Sequence, residues 1–313
     1  MTRRSRAALP LPPPLRPGDR VRLVAASSAL EDGATLAAGI AVLRGWGLEV
    51  DPGAEGLLGR RWGYLAGTDA ERAADLGTPA GPAAEAGPAL HACIRGGWGS
   101  ARLLERPPAL PGGWLLGFSD VTSLLWAQAA RGRGGAVHGP LVTTLAAEPE
   151  WSRERLRALL FGEPVPALEG SGWIGGSAAG PLLVANLTVA THLLGTPHQP
   201  DPAGAILILE DVGEAPYRIE RMLTHWRLCG VLQRLAGIGL GSFEGCEEAD
   251  GRGEEPAGRR FSLEQVLRER TADLGIPVLA GLPVGHGVGN AALPLGVAAR
   301  LDADRGRLEL LGP

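Results

Sequence analysis

Apolar positions along this chain follow two rhythms, short runs of strand length and longer stretches where they recur at helical spacing. The first run, 21–26, ends at Ser27-Ser28, and apolar residues at 36, 40 and 43 then predict a helix over roughly 31–46. Residues 48–50 read as a second strand. Gly67 to Arg72 reads as a capped helix start, with Asp69 and Glu71 in its first turn. A Gly/Pro/Ala-rich loop over 77–88 leads to a third strand, 89–94, which ends in Arg95-Gly96-Gly97-Trp98-Gly99 before a helix at 100–106. After the turn signal Pro111-Gly112-Gly113, the run 114–118 gives a fourth strand. Apolar residues at 121, 124, 125 and 129 turn it directly into a helix. Strand and helix alternating in this way predict a parallel sheet covered on both faces, with its crevice beyond the carboxyl ends of the strands. Ser27-Ser28, the Arg95 turn and Ser119 belong to that edge.

The pattern weakens around 144–180, where Glu148-Pro149-Glu150, Gly170-Ser171-Gly172 and Gly175-Gly176-Ser177 interrupt it. The expected organisation is a proline-rich arm over 1–16, an α/β domain over 17–145, a linker region over 146–180 and a second domain over 181–313. The second domain is expected to carry a helix at 185–194, a strand at 205–209 ending in Glu210, and a helix near 217–235. A strand at 238–243, an acidic Gly-rich loop at 247–260 and a helix at about 262–273 follow. Then come an apolar segment at 278–283, His286 in a Gly285-His286-Gly287 turn, and two closing strands.

Composition narrows the function. A chain of 313 residues with 45% hydrophobic and 20% charged positions is of ordinary globular make-up. A formal charge of −4 with no clustered basic face argues against nucleic-acid binding. All 30 basic residues are arginine, which removes Schiff-base lysines, Ser-Lys dyads and P-loop NTPases from consideration. Cys93, Cys229 and Cys246 form no CxxC pair, so neither a disulfide framework nor a zinc site is expected. The arginine-rich start runs into Leu11-Pro12-Pro13-Pro14-Leu15 without an apolar core segment, and no window is apolar enough to span a membrane. The expectation is a cytoplasmic protein with no membrane partner.

Ser119 stands at the sharp joint between the fourth strand and its helix, the geometry of a nucleophile elbow. Gly117 fits the close approach such a turn needs, although the usual second glycine is Val121 here. A Ser-Asp pair at this place is also an ordinary helix N-cap. Acyl transfer by serine needs a base and a group to orient it. His138, in His-Gly-Pro, and His286 both sit in turn-like settings. His91, His192 and His225 fall inside elements, and His198 lies between proline-rich neighbours. Helical rise predicts that the chain is carried away from the elbow before His138, leaving that residue outside the crevice. Glu210 ends an apolar strand, where a carboxylate has no packing reason to be, yet a loop ion pair would explain it as well.

Taken together, the motifs resemble the LD-carboxypeptidase family of serine peptidases, which includes the microcin C immunity proteins. The matching stretches begin with Arg16-Pro17-Gly18-Asp19, Ala66-Gly67-Thr68-Asp69 with Arg72, and Arg95-Gly96-Gly97-Trp98-Gly99. They continue with Gly117-Phe118-Ser119-Asp120, His138-Gly139-Pro140, and Asn186-Leu187 through Gly195-Thr196-Pro197. Leu209-Glu210-Asp211-Val212-Gly213-Glu214 with Arg218, Arg221, Met222 and Leu223, and Gly285-His286-Gly287, complete the series in the family's order.

The resemblance implies an N-terminal α/β domain like that of class I glutamine amidotransferases and a smaller, β-rich C-terminal domain. It implies a triad of Ser119, Glu210 and His286 shared between them, with an oxyanion hole from the backbone N–H groups of Asp120 and Gly97. It implies no metal and no organic cofactor. The partner is a small peptide, a murein tetrapeptide losing its terminal D-alanine in cell-wall recycling, and the assembly a homodimer. A peptide–nucleotide conjugate, or a non-catalytic peptide-binding role, is the alternative. Three departures from the family pattern bear on substrate. Ala26 replaces a proline before Ser27-Ser28. Trp98 replaces a tyrosine and would narrow the cleft. Val184-Ala185 replaces Gly-Gly before Asn186 and would alter the loop beneath the cleft.

Overall fold

A computed structural model describes residues 8–77, 87–106, 110, 112–247 and 261–312. Most of the loops expected at 77–88 and 247–260 lies outside the described residues, as do positions 1–7 of the arm and Pro111 of the turn before the fourth strand.

The first sheet is built from β1 (Arg20–Val24), β2 (Glu49–Val50), β3 (Leu90–Cys93), β4 (Trp114–Gly117) and β5 (Ala136–His138), all parallel. Its order is β12-β5-β4-β3-β1-β2, where β12 (Leu293–Pro294) returns from the far end of the chain and pairs antiparallel with β5. Helices α1 (Gly33–Gly45), α2 (Ala54–Leu57), α3 (Asp69–Leu76) and α4 (Thr122–Ala130) make the connections. Thr68 and Glu71 form a complete capping box at the start of α3, as the sequence predicts. The segment 100–105 closes up as a 3₁₀ helix instead of an α-helix.

The stretch 146–180 holds more structure than its weak pattern suggests. After α5 (Val142–Leu145), helix α6 (Glu150–Leu160) buries Leu156, Leu159 and Leu160 in the same core as Val21, Leu90 and Trp114 of the first sheet. Strands β6 (Leu168–Glu169) and β7 (Ser171–Ile174) follow. The second sheet then grows around β8 (Ser177–Asn186), β9 (Ile206–Val212), β10 (Gly237–Glu244) and β11 (Val278–Ala280), which are parallel. With β13 (Ala298–Asp302) and β14 (Arg307–Leu310) its order is β6-β14-β13-β8-β9-β10-β11-β7.

Helices α7 (Leu187–Thr191), α8 (Pro216–Leu228) and α9 (Leu263–Thr271) complete this domain. The helix expected from 185 begins two residues later, because β8 runs on through Asn186, whose side chain then accepts from Val189 N and caps α7. The helix expected over 217–235 ends at Leu228, just before Gly230 with φ +71°.

A single apolar cluster crosses from the elbow helix α4 into the second sheet. Trp126 of α4 meets Trp226 of α8 edge to face at 5.9 Å between ring centroids, and its Nε1 donates to Val184 O at 3.0 Å. Both rings are essentially fully buried, and burying a large apolar side chain on folding is worth roughly 1.5–3 kcal/mol, part of which comes from this contact between α4 and α8. The strand that supplies Glu210 and the helix that begins at the elbow are therefore parts of one packed body. Among the described residues no helix is long and apolar enough to cross a membrane.

Candidate active site

β4 delivers Phe118 in an extended conformation, and the chain then turns so sharply that Ser119 takes φ +62°. Among the described residues it is the only non-glycine residue with positive φ. A left-handed residue costs roughly 1–2 kcal/mol, and such strain persists only where its surroundings hold it. Two glycines make room for the turn. A Cβ on Gly117 would come within 2.8 Å of Val121 Cγ1, so Val121, at the place of the usual second glycine, fills the space that Gly117 leaves. A Cβ on Gly96 would stand 3.1 Å from Ser119 Cβ and 3.2 Å from its Oγ.

The residue after the elbow fastens it to two neighbouring strand ends. Asp120 is fully buried, and its Oδ2 accepts from Ser27 Oγ at 2.6 Å and from Ser100 N at 2.8 Å. Burial pushes its carboxyl up, while the bonds from Ser27 and Ser100 pull it back down. The Arg95-Gly96-Gly97 turn is held against the end of β1, since Ser28 N donates to Gly96 O and Ser28 Oγ accepts from Trp98 N at 3.0 Å. Gly97, at φ +105°, has Ser28 Oγ only 2.3 Å from where a Cβ would be, so only glycine fits. Buried Arg72 pins the same corner by donating to Ala26 O and Gly99 O. Trp98 is 44% exposed and is not part of the cavity wall.

Glu210 and His286 come from the second domain. Glu210, on β9, is fully buried, and its Oε2 lies 2.7 Å from His286 Nδ1. Burial raises the Glu210 carboxyl and the bond to His286 opposes the rise. The approach depends on Gly285 at φ +114°, where a Cβ would fall 2.5 Å from Glu210 Oε2. The His286 turn is fixed by partners that no motif announced. Gly285 N donates to Asn290 Oδ1, Gly287 N donates to Ser242 Oγ, and Asn290 N donates to Glu148 Oε2. Asn290 is only five residues from Gly285 but falls in no element, and Ser242 and Glu148 are too far away in sequence for any periodic signal to identify them.

Ser119 and His286 line one cavity of about 430 Å³, together with Phe118, Arg95, Gly96, Gly97 and Leu141. The Phe118 ring lies 4.7 Å from the imidazole of His286. Asp211 and Glu214, the two carboxylates beside Glu210, have other partners. Asp211 accepts from Asn186 Nδ2 and from Thr188 N, while Glu214 pairs with Arg218 at 3.3 Å. Asn186 N in turn donates to Thr122 Oγ1, which ties the elbow helix to the strand beside Glu210. Val184 and Ala185 are buried within β8, so their replacement of glycines creates no altered loop.

As expected, His138 does not line the cavity, but it lies much nearer the elbow than helical rise predicts. It lies beside the crevice, because β5 is only three residues long and its register sets His138 opposite Gly117. Its ring meets Phe118 edge-on at 5.7 Å. It is fully buried, neither ring nitrogen has a hydrogen-bond partner among the described residues, and burial lowers its pKa to about 3. Burial also lowers His91 to about 4.

Both histidines take up protons in the unfolded chain below about pH 6.5 but not in the folded one. Their contribution is therefore complete above that pH and falls with acidification, by about 1.4 kcal/mol per pH unit for each. Buried carboxyls with raised pKa, Asp120 and Glu210 among them, act in the opposite sense. His138→Phe is expected to flatten the fall of Tm between pH 6.5 and pH 4. An unchanged slope in thermal melts would contradict the neutral buried imidazole.

A strained serine at a strand–helix elbow, sharing a cavity with an imidazole that is paired to a buried carboxylate from the second of two joined α/β domains, is the layout of a serine hydrolase. Comparison with known proteins gives the family. Residues 21–139 match the LD-carboxypeptidase N-terminal domain and residues 179–301 the LD-carboxypeptidase C-terminal domain, so the chain belongs to the LD-carboxypeptidase family. A protein of Synechocystis sp. named "Putative carboxypeptidase slr1534" is 47% identical, across 96% of this chain and 97% of its own. The murein tetrapeptide carboxypeptidase of Pseudomonas aeruginosa is 37% identical over 78% of this chain and 81% of its own. The microcin C7 self-immunity protein MccF superposes with a TM-score of 0.80 at 22% identity, over 97% of this chain and 98% of its own, a likeness of fold.

Proposed function

We propose that the protein is a serine carboxypeptidase that hydrolyses the L,D-peptide bond before the terminal D-alanine of a murein tetrapeptide. What carries the reading is the Glu210–His286 pair at 2.7 Å, opening on the same cavity as strained Ser119. The Glu210 carboxylate accepts the Nδ1 proton of His286, which leaves Nε2 free to take the Ser119 proton. Ser119 Oγ attacks the carbonyl carbon, and the N–H groups of Asp120 and Gly97 receive the oxyanion. Protonated His286 then gives its proton to the leaving amine, and water, activated by the same imidazole, releases the acyl group.

The same reading has the protein cytoplasmic, which the free thiols Cys93, Cys229 and Cys246 favour, homodimeric as its family suggests, and active in wall-peptide recycling. The test is incubation with L-Ala-γ-D-Glu-meso-diaminopimelate-D-Ala, following free D-alanine by mass spectrometry. Cleavage of a peptide–nucleotide conjugate with no release of D-alanine would overturn the substrate assignment.

Glu210→Gln keeps the shape but disfavours the working tautomer and the imidazolium, so kcat is expected to drop by roughly 10³–10⁴. Glu214→Gln, removing only a surface pair with Arg218, should stay near wild type. An active Glu210→Gln beside an inactive Glu214→Gln would reverse the assignment.

A further inference from the structure

We propose that Arg95 binds the free α-carboxylate of the residue released, and so makes this hydrolase act at chain ends. The inference rests on the carboxypeptidase reading above and names the group that selects its substrate. Apart from His286, Arg95 is the only basic residue in the cavity wall among the described residues. Its Nη1 donates to Ala29 O, which fixes the guanidinium, and among the described residues it forms no ion pair. The two acidic residues in the same wall have other partners. Glu31 makes its hydrogen-bonded ion pair with Arg61 at 2.9 Å, on the exposed rim, and feels the Arg95 charge only through space. Asp32 caps α1 by accepting from Ala34 N at 2.8 Å. The cavity therefore presents one half-buried cation with donors to spare, and an arginine fork matches a carboxylate.

Placement along the chain fits as well. Arg95 is two residues from Gly97, the proposed oxyanion donor, and next to Gly96, which abuts Ser119. In a substrate whose last residue is the leaving group, the terminal carboxylate is only three bonds from the scissile carbonyl carbon, within about 5 Å. Arg95 and Ser119 line the same cavity, so the guanidinium and the nucleophile face one bound substrate. A chain that continued past this residue would put a neutral amide against Arg95, leaving the cation desolvated and unpaired.

The experiment compares the murein tetrapeptide with its C-terminal carboxamide. Wild type is expected to prefer the free acid by about 100-fold or more in kcat/KM. Arg95→Gln is expected to lower kcat/KM for the acid by about 30- to 1,000-fold, chiefly through KM, and to leave the amide within about threefold. The preference would then collapse. Arg95→Lys, which keeps the charge but not the fork, should retain an intermediate preference, and it supplies the answer if Arg95→Gln does not fold. Equal cleavage of acid and amide by wild type would overturn the proposal, as would an equal loss on both substrates in either variant. Failure of wild type to release D-alanine from the acid would instead remove the carboxypeptidase reading, and the Arg95 assignment with it.

Discussion

Ser119→Ala is expected to fold as wild type does and to lose activity by roughly 10⁴–10⁶, because the nucleophile is removed while the cavity and its donors remain. Ser119→Gly should be equally inactive yet more stable. The wild-type residue sits at φ +62°, where glycine has no Cβ to strain, so about 1 kcal/mol should return, less the entropy that glycine loses on folding. Alanine keeps the Cβ and should recover none of it. Circular dichroism melts of the three proteins, run beside D-alanine release, check both halves. More than a tenth of wild-type activity in Ser119→Ala would sink the serine mechanism. A Ser119→Gly that melts below Ser119→Ala would show that the elbow is not where strain is stored.

That strain is one thing the sequence could not reveal. The strand-to-helix joint was legible, since 114–118 is an unbroken apolar run and the helical spacing starts at 121, and the parallel alternation of the first sheet followed from the same rhythm. Helix α6 was not legible, because its buried apolar residues, Leu156, Leu159 and Leu160, crowd into its last turns among arginines and glutamates, while Trp151 is exposed. Those three leucines bury against a sheet that lies far away in sequence, and no local pattern reports that. The pairing of Glu210 with His286, 76 residues apart, was equally invisible to periodicity, and resemblance to a family proposed it first. Even then the supports of the His286 turn stayed hidden. Glu148 lies in a stretch read as linker, and Asn290 and Ser242 match no motif, yet they bond to the turn's backbone or to each other. Arg72, quoted as part of a motif, found its physical reason only in three dimensions, as a buried clamp on Ala26 and Gly99.

The two histidines of the crevice are expected to separate cleanly. His138 now lies near the site, so proximity no longer decides between them and chemistry must. A general base needs one ring nitrogen free toward the nucleophile and the other held by a group that stabilises the imidazolium. His286 has that second bond, from Nδ1 to a carboxylate with no solvent exposure, and its own side chain is 20% exposed toward the cavity. His138 has neither. Among the described residues both of its nitrogens are unbonded and buried, and burial, which lowers its pKa to about 3, disfavours holding a transferred proton at neutral pH. Its visible contact is with Phe118, whose ring packs on His286. His286→Ala should therefore abolish acylation of Ser119, with a loss of roughly 10⁴–10⁶ comparable to that of Ser119→Ala. His138→Phe, which keeps a ring of similar size and gives up no hydrogen bond, should acylate within about tenfold of wild type. Rates of Ser119 labelling by a fluorophosphonate, with folding confirmed by circular dichroism, measure both. A folded His138→Phe that cannot acylate, beside an active His286→Ala, would overturn the assignment of the base and, with it, a site shared between the two domains.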